Sequence, residues 1–284
     1  MKMRVNGVAL FFDVEGTQLV AEGPWVRERP TVVLLHTGPG LDHTFYKEHI
    51  GPALAQDAQV VYLDQRGSGR SDWSSEEHWT LDTWVDDLTQ FCDALELVRP
   101  MLLGTGIGGV VALLYASRRP DRIERLVLVS TVARDVHTRV IAIFDRLGGP
   151  EAGEVAARYF ANPTETTFSE YMRVCVPLYT REPLRADSFA RIGMNTALST
   201  TWDRSGERDY DIRADAAKVR CPTLLLIGED DPGAALVGGE ELAVALPSEL
   251  VTFRSFPETG HGVFRDTPAA IDLVRSFIPS PEPA

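Results

Sequence analysis

The sequence has little cysteine and no long apolar run. Its three cysteines, Cys92, Cys175 and Cys221, are far apart, odd in number and without the close spacings of a metal site. That pattern excludes a disulfide scaffold and predicts buried, reduced thiols in a cytoplasmic protein. The apolar run near the N-terminus, VALFF, is cut short by Asp13 and Glu15, so it is expected to be neither a signal peptide nor a membrane span. Positive charge is also scarce. Against 41 Asp and Glu there are 28 Lys and Arg, a formal charge of −13 over 284 residues, and the resulting field repels phosphate backbones and anionic lipid. Nucleic acid and membranes are therefore not expected partners. There is no internal repeat or low-complexity segment, and nothing resembles a metal-ligand set.

The remaining composition is that of an ordinary globular chain, 44% hydrophobic and 24% charged, long enough for one large core with an insertion. Short β-rich runs alternate with helical patterns, which predicts a mostly parallel sheet covered on both faces. The strands are expected at residues 31–36, 59–64, 100–105, 125–131, 222–229 and 250–256, with VALFFDV adding an antiparallel hairpin at one edge. The segment LDTWVDDLTQFCDALEL sets Leu81, Trp84, Val85, Leu88, Phe91 and Leu95 on one helical face. Its carboxylates, Asp82, Asp86, Asp87 and Asp93, are read as a solvated face. A last helix is expected to start with Thr267 as N-cap and Pro268 in its first turn, and PSPEPA to be a frayed tail. The alternation breaks once. From about residue 132 to 219 there are helical patterns without a buried strand, too long a stretch for a crossover loop, so these residues are expected to form a helical cap inserted into a core made of residues 1–131 and 220–284.

One strand-to-helix junction carries the glycine frame Gly104-Thr105-Gly106-Ile107-Gly108. In the G-x-S-x-G elbow a serine occupies a strained turn that lifts its hydroxyl into a pocket, and here glycine stands at that place. The frame also brushes against the dinucleotide fingerprint, but its spacing carries an extra glycine. No acidic residue beyond Asp121 and Glu124 offers itself for a ribose. No cofactor is expected.

Five segments in order, HTGPG (36–40), YLDQRGSGRSD (62–72), LLGTGIGGVVALLYA (102–116), LLLIGEDDP (224–232) and FPETGHGVF (256–264), resemble the α/β-hydrolase family and, within it, the proline iminopeptidase-like branch. The resemblance covers nearly the whole chain and implies the α/β-hydrolase fold. It also implies His261 as general base, Asp231 as its acidic partner with Asp230 as the neighbouring alternative, and an oxyanion hole from the Gly38 and Ile107 amides. Relatives usually have glycine where Thr37 stands, histidine where Ser68 stands and serine where Gly106 stands. Thr37 bears on the oxyanion loop because it is β-branched, and it is a candidate substrate-binding residue with Tyr179 and Trp202. His36 begins the oxyanion loop as a structural residue. His43, His49, His78 and His137 have no supporting motif. Thr105, just before the elbow, is expected to point away, and Cys92 lies within a helix.

Glycine relieves the backbone strain of an elbow but removes the nucleophile, so a covalent acyl-enzyme at residue 106 is excluded. Three readings stay open. The chain is a hydrolase whose serine was exchanged, or a natural member using His261 and Asp231 for acid-base chemistry without that step, hydrolytic or of lyase or cyclase type. Alternatively it is a lapsed enzyme that only binds small molecules. The cap's Tyr171, Met172, Tyr179, Phe189, Met194 and Trp202 are candidates to line an apolar pocket, although at helical spacing most are expected to be ordinary packing. Proline iminopeptidases use acidic cap residues to hold an amine. Glu182 and Glu207 match no such motif, which favours a small ester, lactone or amide as substrate.

Overall fold

A computed structural model describes residues 1–134, 136–182 and 190–279. Eight strands form one sheet in the order β1-β2-β6-β5-β7-β8-β9-β10: β1 (Lys2–Val5), β2 (Val8–Glu15), β5 (Thr31–Leu35), β6 (Gln59–Leu63), β7 (Met101–Thr105), β8 (Arg125–Val129), β9 (Thr223–Gly228) and β10 (Val251–Phe256). From β6 to β10 every pairing is parallel, while β1 and β2 add antiparallel at the edge. The sequence dictates this division. In β2 buried and half-buried residues alternate, as a strand with one wet face requires. In β7 and β9 every residue is buried, because helices cover both faces.

The strand period splits the core into two layers. Val33, Leu35, Leu102, Leu126 and Leu128 face one way; Val32, Leu34, Leu103, Val127 and Val129 face the other. Helices α1 (Leu81–Ala94) and α2 (Ile107–Arg118) pack on the first layer, whereas α7 (Ala269–Ser276) packs on the second. Between β8 and β9 lie the helices α3 (His137–Ala161), α4 (Glu165–Val174) and α5 (Thr196–Arg204), and α6 (Leu236–Ala245) follows β9. Helix α3 is broken at Gly149, with φ 76 and ψ −177. The first two of these helices gather a separate apolar cluster around Phe144, Tyr159, Phe168 and Tyr171. Apart from an isolated bridge between Arg134 and Asp211, no strand pairing occurs there among the described residues.

Two expectations need correction, and one hairpin adds to the elements expected. Thr267 does not cap the last helix with its side chain: α7 starts after Pro268, and the Thr267 hydroxyl bonds instead to Thr259 at 2.6 Å. A separate hairpin is formed by β3 (Leu19–Glu22) and β4 (Trp25–Glu28). Its residues are mostly exposed, so no burial pattern marks it. Gly23, with φ 62 in the two-residue turn, was its one signal. Asp87 does not belong to a solvated face. It is buried and takes two hydrogen bonds from Arg66, at 2.6 and 2.7 Å, and one from Asn6 at 2.8 Å. Helical periodicity could not reveal a partner that arrives from the β6–α1 loop. Asp87→Ala strands the Arg66 guanidinium without its counter-charge, so unfolding free energy should fall by about 3–5 kcal/mol in urea melts. A loss below about 1 kcal/mol would show the pair to be dispensable. Phe189 and most of the PSPEPA tail lie outside the described residues.

Candidate active site

Helix α2 follows β7 with Gly106 alone between them. Gly106 has φ 53 and ψ −121, a region that costs a side-chain-bearing residue on the order of 1–3 kcal/mol. The helix can start so close to the sheet only because Gly108 has no side chain; a Cβ there would lie 2.2 Å from the Leu35 carbonyl oxygen. Ile107 is the first residue of α2, where an amide has no acceptor within the helix. The Gly38 amide likewise finds no acceptor among the described residues. Both residues line a cavity of about 370 Å³.

His261 reaches this cavity from the loop after β10. Its backbone amide donates to the Tyr179 carbonyl at 2.6 Å, and its carbonyl accepts from the Ser130 hydroxyl at 3.1 Å. Tyr179 also stands edge-on to the imidazole, ring centroids 5.4 Å apart. The Asp231 carboxylate, fully buried after β9, lies 3.0 Å from His261 Nδ1 through each oxygen. Oδ1 of the same carboxylate accepts the Gly233 and Ala234 amides at 2.8 and 3.1 Å. A carboxylate can only accept, so the neutral imidazole carries its proton on Nδ1 and presents a lone pair at Nε2. Burial opposes the imidazolium form, but the charge and hydrogen bond of Asp231 together outweigh it, and the pKa of His261 stands above the ordinary histidine value.

A Cβ built on Gly106 would lie 3.6 Å from His261 Nε2. It would also lie 2.7 Å from Thr37 Oγ1, and that hydroxyl is itself 3.1 Å from Nε2. Sequence reasoning placed Thr37 in the oxyanion loop and near substrate; its contact with His261 spans 224 positions and left no local signal. Asp230, the alternative acid, turns away to Arg146 and Arg181. Thr105 is held by Tyr46, whose hydroxyl donates to its Oγ1 at 2.7 Å. The thiols of Cys92 and Cys175 are pushed up by burial to about 12, and that of Cys221 to about 11, which leaves them protonated and unreactive.

The other histidines divide by environment. His36 is buried, accepts the Gln65 amide at Nε2 (3.0 Å) and donates from Nδ1 to the Thr37 carbonyl (2.8 Å), so it braces the loop. His43 pairs with buried Asp64 at 2.6 Å, away from the cavity. His49 lines the cavity, and its Nε2 is buried without a hydrogen-bond partner.

The opposite wall of the cavity comes from the helical segment between β8 and β9. Tyr171, Met172, Tyr179, Met194 and Trp202 line it. Trp202 also stacks on Trp84 of α1 at 4.9 Å and is nearly inaccessible, so packing accounts for most of its burial. Tyr179 hydrogen-bonds the Tyr171 hydroxyl at 2.7 Å. Glu207 accepts from the Leu81 amide, and neither it nor Glu182 lines the cavity. Among the described residues no group of three or more His, Cys, Asp or Glu could hold a metal ion, and no helix is long and apolar enough to cross a membrane.

Residues 30–268 match the model of the alpha/beta hydrolase fold family. The chain is 30% identical to a proline iminopeptidase of Levilactobacillus brevis, over 84% of each chain. It is 31% identical to a 2-hydroxy-6-oxo-2,4-heptadienoate hydrolase of Pseudomonas putida, over 87% of this chain and 88% of that one. Among solved structures it is similar in fold to an enol-lactonase of Burkholderia xenovorans, with a TM-score of 0.68, 22% identity and coverage of 98% and 99% of the two chains.

Proposed function

The chain belongs to the α/β-hydrolase family, and from that premise we propose that it hydrolyses a small ester, lactone or amide with His261 as general base and Asp231 as the acid that orients it. Gly106 stands at the elbow position where the family fold presents a side chain. The Gly38 and Ile107 amides receive the oxyanion, and residues 132–219 form the cap that shapes the pocket. The observation that carries this reading is the Asp231–His261 pair, hydrogen-bonded at 3.0 Å and opening at Nε2 onto the cavity above Gly106.

The chemistry follows from the charges. When a water or hydroxyl attacks the substrate carbonyl, its proton passes to Nε2, and the imidazolium that results is stabilised by the buried carboxylate behind it. Charge then grows on the carbonyl oxygen, where two fixed amides cost no reorganisation and contribute about 3–4 kcal/mol each in comparable sites. His261 finally gives its proton to the leaving group. The aromatic wall around Tyr171 and Tyr179 suits an apolar substrate body. The named activities of relatives, proline iminopeptidase and 2-hydroxy-6-oxo-2,4-heptadienoate hydrolase, support a small-molecule substrate.

The test is hydrolysis of a panel of aryl esters, lactones and anilides as a function of pH. Turnover should rise through one titration whose midpoint lies above about 6.5, the reference value for histidine, since Asp231 raises the pKa of His261. A rate independent of pH between about 5 and 9, or no hydrolysis of any member, would count against the reading.

The elbow role of position 106 has its own test. Gly106→Ser alone brings a Cβ to 2.7 Å from Thr37 Oγ1, so the double variant Gly106→Ser with Thr37→Ala is used. It should become labelled at position 106 by a fluorophosphonate, because a hydroxyl there lies within reach of Nε2. A folded double variant that takes no label at 106 would remove that position from the chemistry.

A further inference from the structure

Among the described residues, His261 Nε2 has one hydrogen-bond partner, the Thr37 hydroxyl at 3.1 Å. We propose that Thr37 is the nucleophile of this enzyme, its Oγ activated by His261 and Asp231, so that the reaction passes through an acyl-threonine at residue 37. The proposal rests on the hydrolase reading above and adds to it the atom that attacks.

Three observations converge on this hydroxyl. The first is the direction of its hydrogen bond. With Nδ1 committed to the Asp231 carboxylate, neutral Nε2 can only accept, so Thr37 Oγ–H donates to it. That is the resting geometry of a hydroxyl about to lose its proton to a base. The second is position. Thr37 Oγ1 lies 2.7 Å from where a Cβ on Gly106 would be, so it sits over the bare glycine, and a side chain at 106 would require Thr37 to shift. Thr37 lines the cavity and is only half-buried, so an acyl carbon can approach it. The third is the set of donors. The amide directly after Thr37 is that of Gly38, which has no acceptor among the described residues, and the Ile107 amide starts the helix just beyond Gly106.

The competing hydroxyls of the cavity are engaged elsewhere. Ser130 donates to the His261 carbonyl at 3.1 Å, Ser199 to the Pro39 carbonyl at 2.8 Å, and Thr105 is bound to Tyr46. None of them touches Nε2.

In the first half-reaction the Thr37 Oγ–H proton goes to Nε2 and an Oγ–acyl bond forms. The acyl bond to the leaving group breaks, and the leaving group takes the proton from Nε2. In the second half, water gives a proton to Nε2 and its oxygen attacks the acyl carbon. The acyl–Oγ bond then breaks, and Thr37 Oγ recovers the proton. The sum is substrate and water to acid and alcohol or amine, with no other reactant.

The test maps the adduct. Full-length protein is treated with p-nitrophenyl acetate and with a fluorophosphonate, then digested and sequenced by mass spectrometry, alongside Thr37→Val, Thr37→Ser and His261→Ala. The expected result is an acetyl or phosphonyl group on residue 37, lost in Thr37→Val together with at least about a thousandfold of turnover, and regained in Thr37→Ser. Turnover in Thr37→Val within about threefold of the parent, with His261→Ala inactive, would overturn the proposal while leaving the hydrolase reading intact, since His261 would then act on water directly. No adduct on residue 37, or an adduct elsewhere, would overturn it as well. Should Thr37→Val fail to fold, the position of the adduct in the parent chain and in Thr37→Ser still decides. Turnover that survives in His261→Ala would instead sink the hydrolase reading itself.

Discussion

His261→Ala should lower turnover of any hydrolysed ester or lactone by about 10⁴- to 10⁶-fold, roughly 5–8 kcal/mol of barrier, while leaving the fold intact. The size follows from how much converges on this imidazole. It accepts the attacking proton, carries the transient positive charge over a buried carboxylate, and returns the proton to the leaving group. Among the described residues His36 is committed at both nitrogens, His43 is turned to Asp64, and His49 Nε2, although His49 lines the cavity, is buried from it. Stability should change little, because the ring is only partly buried and its backbone bonds to Tyr179 and Ser130 do not involve the side chain. Steady-state kinetics on matched, folded samples check this. A loss under about tenfold would mean that the base lies elsewhere.

Asp231→Asn should cost about 10⁴-fold in turnover and also move the pH dependence. The carboxylate holds the proton on Nδ1. An amide in its place can donate to Nδ1, which puts the proton on Nε2 and leaves nothing there to accept. The sign of the pH shift is fixed by the balance at His261. Burial lowers its pKa and Asp231 raises it, with Asp231 prevailing. Once that charge is gone, burial alone remains, so the residual activity should titrate at lower pH than in the parent protein. A structural role for Asp231, through its bonds to the Gly233 and Ala234 amides, would reduce stability without moving the midpoint. The pH profile therefore separates positioning from scaffolding.

The core strands were legible because their burial is continuous and their flanks are glycine, proline or charge. β9, every residue of it buried, and the His261 loop after β10 fall where the runs LLLIGEDD and FPETGHG predict. The resemblance pointed to Asp231 ahead of its neighbour Asp230, but no local pattern gives the physical reason for that choice. Only the turn after β9 sends Asp231 inward and Asp230 out to two arginines. Asp87 was misread because helical periodicity describes one helix and is silent on the arginine that meets it. The Thr37–His261 bond was illegible for the same reason on a longer scale, since a hydroxyl becomes chemically important only when a base from the other end of the chain is set beside it. Glycine at 106 could be seen to lack a side chain. What fills the space above it is a property of the assembled loop.

The central claim, that His261 held by Asp231 is the working base, is tested most directly by titrating the His261 ring nitrogens by NMR in the same buffers used for the rate profile. The account predicts a neutral ring protonated on Nδ1 and a single titration above about 6.5 that coincides with the midpoint of turnover. A ring protonated on Nε2, or a His261 titration that does not track the rate, would contradict it.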